Sequence, residues 1–322
     1  MKLKRILLAL AAAASLASAA LAQGDFPNRP IRLIVPLVAG SAADGTARII
    51  MPEVSKRLGQ PIIIENEGGA GAIPGATRAA RAAPDGYTLL QCNPSISVVN
   101  QLILNSLPYD PVNDFIPVSN TSAQALIMAV PASSPHRSLK DFIDAWRAGR
   151  AEKYASLGPG TSAHLAAERL KSLVGRDLRH IPFPPGPQGV LALGRGELDM
   201  MFYGLASFMP ALQAGTIRLI GIAMPERSAL TPDLPTLREQ GYDVVIQAWY
   251  GICAPKGTPK PIVDRLARAI IDAVNDPEVV KRLNAAGTDA APSKSAEDFA
   301  QFIQAERDYY RDIVAKAGIS RN

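Results

Sequence analysis

Three turns in this chain place small residues where a strand ends and a helix begins. They are Ala39-Gly40-Ser41-Ala42-Ala43-Asp44, Glu65-Asn66-Glu67-Gly68-Gly69-Ala70-Gly71-Ala72 and Gly158-Pro159-Gly160-Thr161-Ser162-Ala163-His164. Small residues let backbone amides approach a ligand, and a helix N-terminus leaves amides unpaired under partial positive charge. Such turns suit anions, carboxylates included. Any one of them can also be a plain end to a strand. Three in two different parts of the chain favour binding, because a cleft between domains would gather them.

Other chemistries fail on spacing. Gly69-x-Gly71 is followed by Pro74 where the dinucleotide fingerprint needs glycine, and Gly75 comes one place late. No Gly-Lys pair exists for an ATPase-type phosphate loop, and no G-x-S-x-G elbow for a hydrolase. His136, His164 and His180 are the only histidines, and none is spaced with another histidine or cysteine as a zinc site requires. Ser162 and His164 form a dyad in name, but a helix cap beside a half-exposed histidine explains them more simply. No catalytic residue, metal or cofactor is expected.

The elements around these turns alternate strand and helix. Residues 31–35, 62–65 and 87–90 read as strands, and 44–58 and 73–82 as helices, with a kink expected at Pro52. A second α/β unit follows, with strands at 125–130, 154–157, 180–183, 198–202 and 217–223 and helices at 139–148, 162–174 and before Leu193. Residues 225–241 read as a loop rich in proline and turn residues. A strand from Trp249 leads into terminal helices with start signals at Thr258-Pro259, at Asp276-Pro277 and at the capping box Ser295-Ala296-Glu297-Asp298. These helices need a sheet face, and the N-terminal strands offer one. The expected architecture is therefore α/β with a discontinuous first domain, 23–124 with 247–322, and a second, 125–246, each a mostly parallel sheet flanked by helices.

The first 22 residues read as a secretory signal peptide. Lys2, Lys4 and Arg5 are basic, Ile6 to Leu21 are apolar, and Ala20-Leu21-Ala22 is a small-x-small cleavage pattern. Removing those three cations from the formal charge of +5 leaves +2. A near-neutral surface gives no reason to invoke nucleic acid or an anionic membrane. With 48% apolar and 20% charged residues the remainder is globular rather than disordered. Cys92 and Cys253, in an oxidising compartment, leave two readings open: one disulfide, or two small buried apolar residues.

The turns and their neighbours resemble a known family. Arg29-Pro30-Ile31-Arg32-Leu33-Ile34-Val35-Pro36, Ala39-Gly40, Asp44, Gly59-Gln60-Pro61, Glu65-Asn66, Gly69-Ala70-Gly71 and Pro84-Asp85-Gly86-Tyr87-Thr88-Leu89-Leu90 come first. Gly160-Thr161-Ser162-x-His164-Leu165, Gly196-Glu197-Leu198-Asp199-x-Met201-Phe202 and Ala254-Pro255-Lys256-Gly257-Thr258-Pro259 follow in the same order. The set is similar to the substrate-binding proteins of tripartite tricarboxylate transporters, the Bug receptors, over essentially the whole mature chain. The resemblance implies a two-domain periplasmic-binding-protein fold, a Venus flytrap with two hinge crossings. It implies capture of a small organic carboxylate in the cleft and delivery to membrane transporter subunits of that type. The implied contacts are Gly40, Ser41, Ala42, Asp44, Ala70 and Gly71 from one domain and Thr161, Ser162, His164, Phe183 and Tyr203 from the other. Localisation is then periplasmic, through the Sec pathway, and the receptor is expected to act as a monomer.

The chain departs from the family pattern at several of these places. Gly40-Ser41 stands for a double glycine, Glu67-Gly68 for Arg-Pro, Ala72 for a second glycine, and Tyr203-Gly204 for an Asp-Asn-like pair. Losing an acid at 203 removes a partner for an amino group, while Tyr203 and Phe183 offer aromatic faces. The expected ligand is therefore an aromatic or short apolar carboxylate rather than an acidic amino acid. Glu67 is expected to point to solvent. A periplasmic sensor presenting the same ligand to a histidine kinase is the alternative that shares this cleft.

Overall fold

The computed structural model describes residues 26–156, 158–183 and 186–316; the expected signal peptide lies outside the described residues. Two lobes are built on matching three-stranded parallel units. In lobe 1, β1 (Ile31–Val35) lies between β2 (Ile62–Asn66) and β3 (Thr88–Cys92), all parallel. In lobe 2, β5 (Lys153–Ser156) lies between β6 (Arg179–Pro182) and β7 (Met200–Gly204), again parallel. Helices α1 (Ala42–Leu58), α2 (Ile73–Ala80), α5 (Ser162–Val174) and α6 (Gly186–Gly194) are the crossovers such parallel pairs require; α3 (Asn100–Ile103), α4 (Leu139–Arg147) and α7 (Leu205–Gln213) lie between and after them.

Two long strands, β4 (Phe115–Pro131) and β9 (Gln247–Pro255), join the lobes into one mixed sheet of order β2-β1-β3-β9-β4-β7-β5-β6. β4 pairs antiparallel with β9 from Phe115 to Ala125, then with β7 and β8 (Ile217–Ile222) from Leu126 to Pro131. The sequence reading caught only the second half of β4. Pro117 and the polar run Ser119-Asn120-Thr121-Ser122 carry no strand pattern, yet the four polar residues are buried. Some of their polar groups find partners far along the chain: Thr121 Oγ1 donates to the Tyr250 carbonyl at 2.6 Å, and the Asn120 amide donates to Ser293 Oγ at 3.2 Å. Tertiary pairing overrides a turn-like composition here.

Helix limits follow their caps. Ser41 caps α1 by accepting from the Asp44 amide, and Gly59 closes it at φ 73°. The helix runs through Pro52 without ending. Thr161 caps α5, and Asp276 caps α9 (Pro277–Ala285). At α8 (Lys260–Val274) the cap is Pro259, not Thr258; Thr258 Oγ1 instead donates to the Pro255 carbonyl at 2.7 Å. At α10 (Ala296–Lys316) Ser295 Oγ accepts from the Asp298 amide, while the Asp298 carboxylate takes the Lys294 amide.

Helices α8 and α10 cover the first lobe, as a sheet with one open face demands. Trp249 of β9 meets Phe299 and Phe302 of α10 at ring distances of 5.5 and 5.6 Å. The far half of α10 reaches lobe 2: Tyr309 Oη accepts from the Val245 amide at 3.2 Å, and Asp312 lies 3.7 Å from Arg169 of α5. Cys92 and Cys253 form a disulfide between β3 and β9, with 5.9 Å between their Cα atoms. No helix among the described residues is long and apolar enough to cross a membrane.

Candidate ligand cleft

A cavity of about 420 Å³ opens between the lobes. Lobe 1 contributes Leu37, Gly69, Gly71 and Ala72 from its turns and Asn93-Pro94-Ser95 from the end of β3. Lobe 2 contributes Thr161-Ser162-Ala163 at the start of α5 and Tyr203-Gly204 at the end of β7. The joining strands supply the floor, with Gln124, Leu126 and Ala248-Trp249-Tyr250. None of these lining residues is charged. An anion here would meet amides, hydroxyls and aromatic rings rather than a cation.

The lobe 1 turns are shaped by positive-φ residues. Gly71 and Ala72 sit at φ 67° and 69°, a region that costs an alanine roughly 1–2 kcal/mol. Asn100 Nδ2 holds this turn by donating to the Gly71 carbonyl at 3.0 Å. The Gly40 amide donates to Asp44 Oδ2 at 2.9 Å, and Arg48 Nε donates to the same oxygen at 3.0 Å. Burial pushes the Asp44 carboxyl up, but hydrogen bonds from Arg48, Gly40 and Asn66 outweigh it and hold it below the usual range. Asp44 thus supplies the anion that its own turn would otherwise bind.

The lobe 2 turn rests on a buried polar cluster. The Gly160 amide donates to His164 Nδ1 at 3.3 Å, and the Gly158 amide donates to Ser156 Oγ at 3.0 Å. His180 Nε2 lies 2.7 Å from the same Ser156 oxygen. Tyr154 stacks on both histidines and hydrogen-bonds Glu168, which Lys171 pairs at 2.9 Å. Burial, then the fields of His180 and Lys171, pull His164 down to about 4. His164 is therefore neutral at pH 7, as its acceptor role for Gly160 requires.

Of the eleven residues singled out from sequence, Gly71, Thr161, Ser162 and Tyr203 line the cavity. Ala70 opens the short 3₁₀ turn beside it. Gly40, Ser41, Ala42 and Asp44 form the turn and first helical residues alongside Leu37 without lining it. His164 lies beneath the wall rather than in it, and it bonds to Gly160, not Ser162. Phe183 is half-buried against the lobe 2 core. Glu67 turns from the cleft to pair with Arg78 at 2.8 Å. Sequence reasoning missed Asn93, Gln124, Trp249 and Tyr250. Asn93 was findable, since it follows β3 at the carboxyl edge where open α/β sheets bind ligands.

Residues 46–319 match the model for the tripartite tricarboxylate transporter family receptor. A UPF0065 protein from the tcbD–tcbE intergenic region of Pseudomonas sp. strain P51 is 32% identical over 99% of this chain and 96% of its own length. The solved structure of R. palustris Rpa4515 with adipate superposes with a TM-score of 0.81 at 28% identity, covering 92% of this chain and 100% of that one. MatC from Rhodopseudomonas palustris with bound malate superposes with a TM-score of 0.75 at 33% identity, covering 90% and 100%. The two-lobed fold, the colinear motifs and these matches together make the chain a member of the tripartite tricarboxylate transporter receptor family.

Proposed function

We propose that this protein is a periplasmic solute receptor that captures a small organic carboxylate between its lobes and delivers it to a tripartite tricarboxylate-type membrane transporter. The observation that carries this is the cleft, lined by turn amides and rings and by no charged side chain. Relatives of the same fold hold adipate and malate. In this reading residues 23–124 with 247–322 form one lobe and 125–246 the other, with β4 and β9 as hinge strands. The amides of 69–71 and 162–163 hold the carboxylate, those of Ala72 and Thr161 being taken by the Gly69 and Gly158 carbonyls. Leu126, Tyr203 and Trp249 receive an apolar or aromatic body, because no carboxylate among the lining residues offers an ammonium group a charged partner. Closure follows from differential affinity, since each end of the ligand contacts one lobe. The protein is exported through the Sec pathway and acts as a monomer.

Thermal unfolding of residues 23–322 against a panel of acids tests the reading. The panel spans citrate, malate, adipate, glutamate, nicotinate and benzoate. Ligand at about a hundred times its dissociation constant adds roughly 2.7 kcal/mol, a rise of about five degrees for a chain this long. A shift with benzoate or nicotinate above that with glutamate is expected. Glutamate binding best would overturn the ligand class, and no shift with any acid would count against the receptor role.

A further inference from the structure

Trp249 is the largest side chain of the cleft wall, and its one polar atom is taken by helix α10. Its Nε1 donates to Glu306 Oε2 at 3.0 Å. Phe299 meets the ring edge-on at an interplanar angle of 85°, and Phe302 at 73°. Residues 299, 302 and 306 share one face of α10 at helical spacing, so a single helix face grips the indole. The ring is wholly buried among protein atoms yet borders the cavity. What it offers a ligand is carbon.

We propose that Glu306 is a positioning residue of the ligand cleft: its bond to Trp249 fixes the indole in the wall and couples that wall to the protonation state of the C-terminal helix. The inference takes the cleft as the ligand site.

The surroundings of Glu306 support a neutral-to-charged transition near physiological pH. Burial pushes its carboxyl up to about 7, against the opposing effect of the Trp249 bond. Tyr310 on the same helix lies within its field and is itself raised by burial. Residues 95–103 and strand β4, both packed against α10, carry no charged side chain. Arg169 of α5 pairs with Asp243 and Asp312, and Lys260 of α8 with Asp264 and Glu297. Arg307 donates to the Ser97 and Pro111 carbonyls. Among the described residues no cation forms an ion pair with Glu306. As pH rises through 7, Glu306 therefore gains an uncompensated negative charge behind the ring. A carboxylate in the cleft then binds more weakly, roughly threefold between pH 6 and pH 8.

Nitrogen-15 NMR of the indole groups in the full mature chain tests this without a ligand, since only Trp146 and Trp249 contribute. The Trp249 signal is expected to titrate with a midpoint near pH 7. In Glu306→Gln, which keeps the acceptor, the signal stays at its low-pH position throughout. In Glu306→Ala it moves at every pH, because the donor has lost its partner. A wild-type titration that persists in the Gln variant, or an Ala signal that matches wild type, would overturn the proposal. Calorimetry with benzoate, ionised at both pH 6 and pH 8, gives the second arm. Wild type should lose about threefold in affinity over that range and the Gln variant none. Absence of benzoate binding at either pH would count against the aromatic-acid reading of the cleft, and the NMR result would then decide the role of Glu306 alone.

Discussion

The two walls of the cleft are braced by different chemistry. In lobe 1 the Cys92–Cys253 disulfide ties the end of β3 to β9, one residue before the lining segment Asn93-Pro94-Ser95. In lobe 2 the turn before α5 hangs on neutral histidines, a serine and a buried Tyr154–Glu168–Lys171 chain. The first brace is covalent and indifferent to pH. The second is indifferent to reductant and depends on two histidines staying unprotonated. The lobes share a strand-helix plan, so the fold does not dictate the brace; local residues do.

Breaking the covalent brace has the largest expected effect. Reduction, or the double change Cys92→Ala with Cys253→Ala, should cost about 2–5 kcal/mol. Urea unfolding with and without reductant at pH 7 measures it. A midpoint unmoved by reductant would mean that the disulfide does not support lobe 1.

Acid breaks the other side. His164 sits near 4 in the folded protein, below its ordinary 6.5. Its contribution is complete above about pH 6.5 and is lost as pH falls toward 4, on the order of 3 kcal/mol. Glu306 has the opposite sign: with its carboxyl raised to about 7, it contributes stability at low pH that is lost as pH rises through 7. The two slopes oppose each other, so the cleaner measurement is His164→Asn, which keeps an acceptor for Gly160. Urea unfolding at pH 4.5 and 7 should show a shallower acid loss in this variant than in wild type.

The seam between the walls gives the next effect. Gly160 lies at φ 76°, and a Cβ there would strike Ile103 of the segment after Ser95–Val99. Gly160→Ala should cost about 1–2 kcal/mol from backbone strain alone. It should also weaken ligand binding, because Ile103 must shift its terminal methyl and the turn before Thr161 is displaced at the cleft wall. Comparing its thermal midpoint with its benzoate affinity separates the two losses. The smallest expected effect is a gain. Ala72 occupies a left-handed conformation at φ 69°, so Ala72→Gly should stabilise by up to about 1 kcal/mol, read as a higher midpoint.

Much of this was legible in the sequence. Helix Ser162–Val174 and the strand beginning at Ile31 were marked by caps, apolar spacing and proline. The family and its fold followed from the order of short motifs, none of which is specific alone. The cleft was only half legible. Its turns announce themselves through glycine, but its floor comes from β4 and β9, where Gln124 and Trp249 look like any strand residues. Their role depends on the register of two strands far apart in the chain. The pairing of Cys92 with Cys253 was undecided for the same reason. The family resemblance implies ligand contacts at Asp44 and His164; in the structure Asp44 accepts from the Gly40 amide and His164 from the Gly160 amide, each within its own turn.

A crystal structure with bound benzoate tests the central claim most directly. The account predicts carboxylate oxygens within hydrogen-bond distance of the amides of residues 69–71 or 162–163, with the ring against Tyr203 and Trp249. A benzoate whose carboxylate pairs with a lysine or arginine outside the cleft would contradict it.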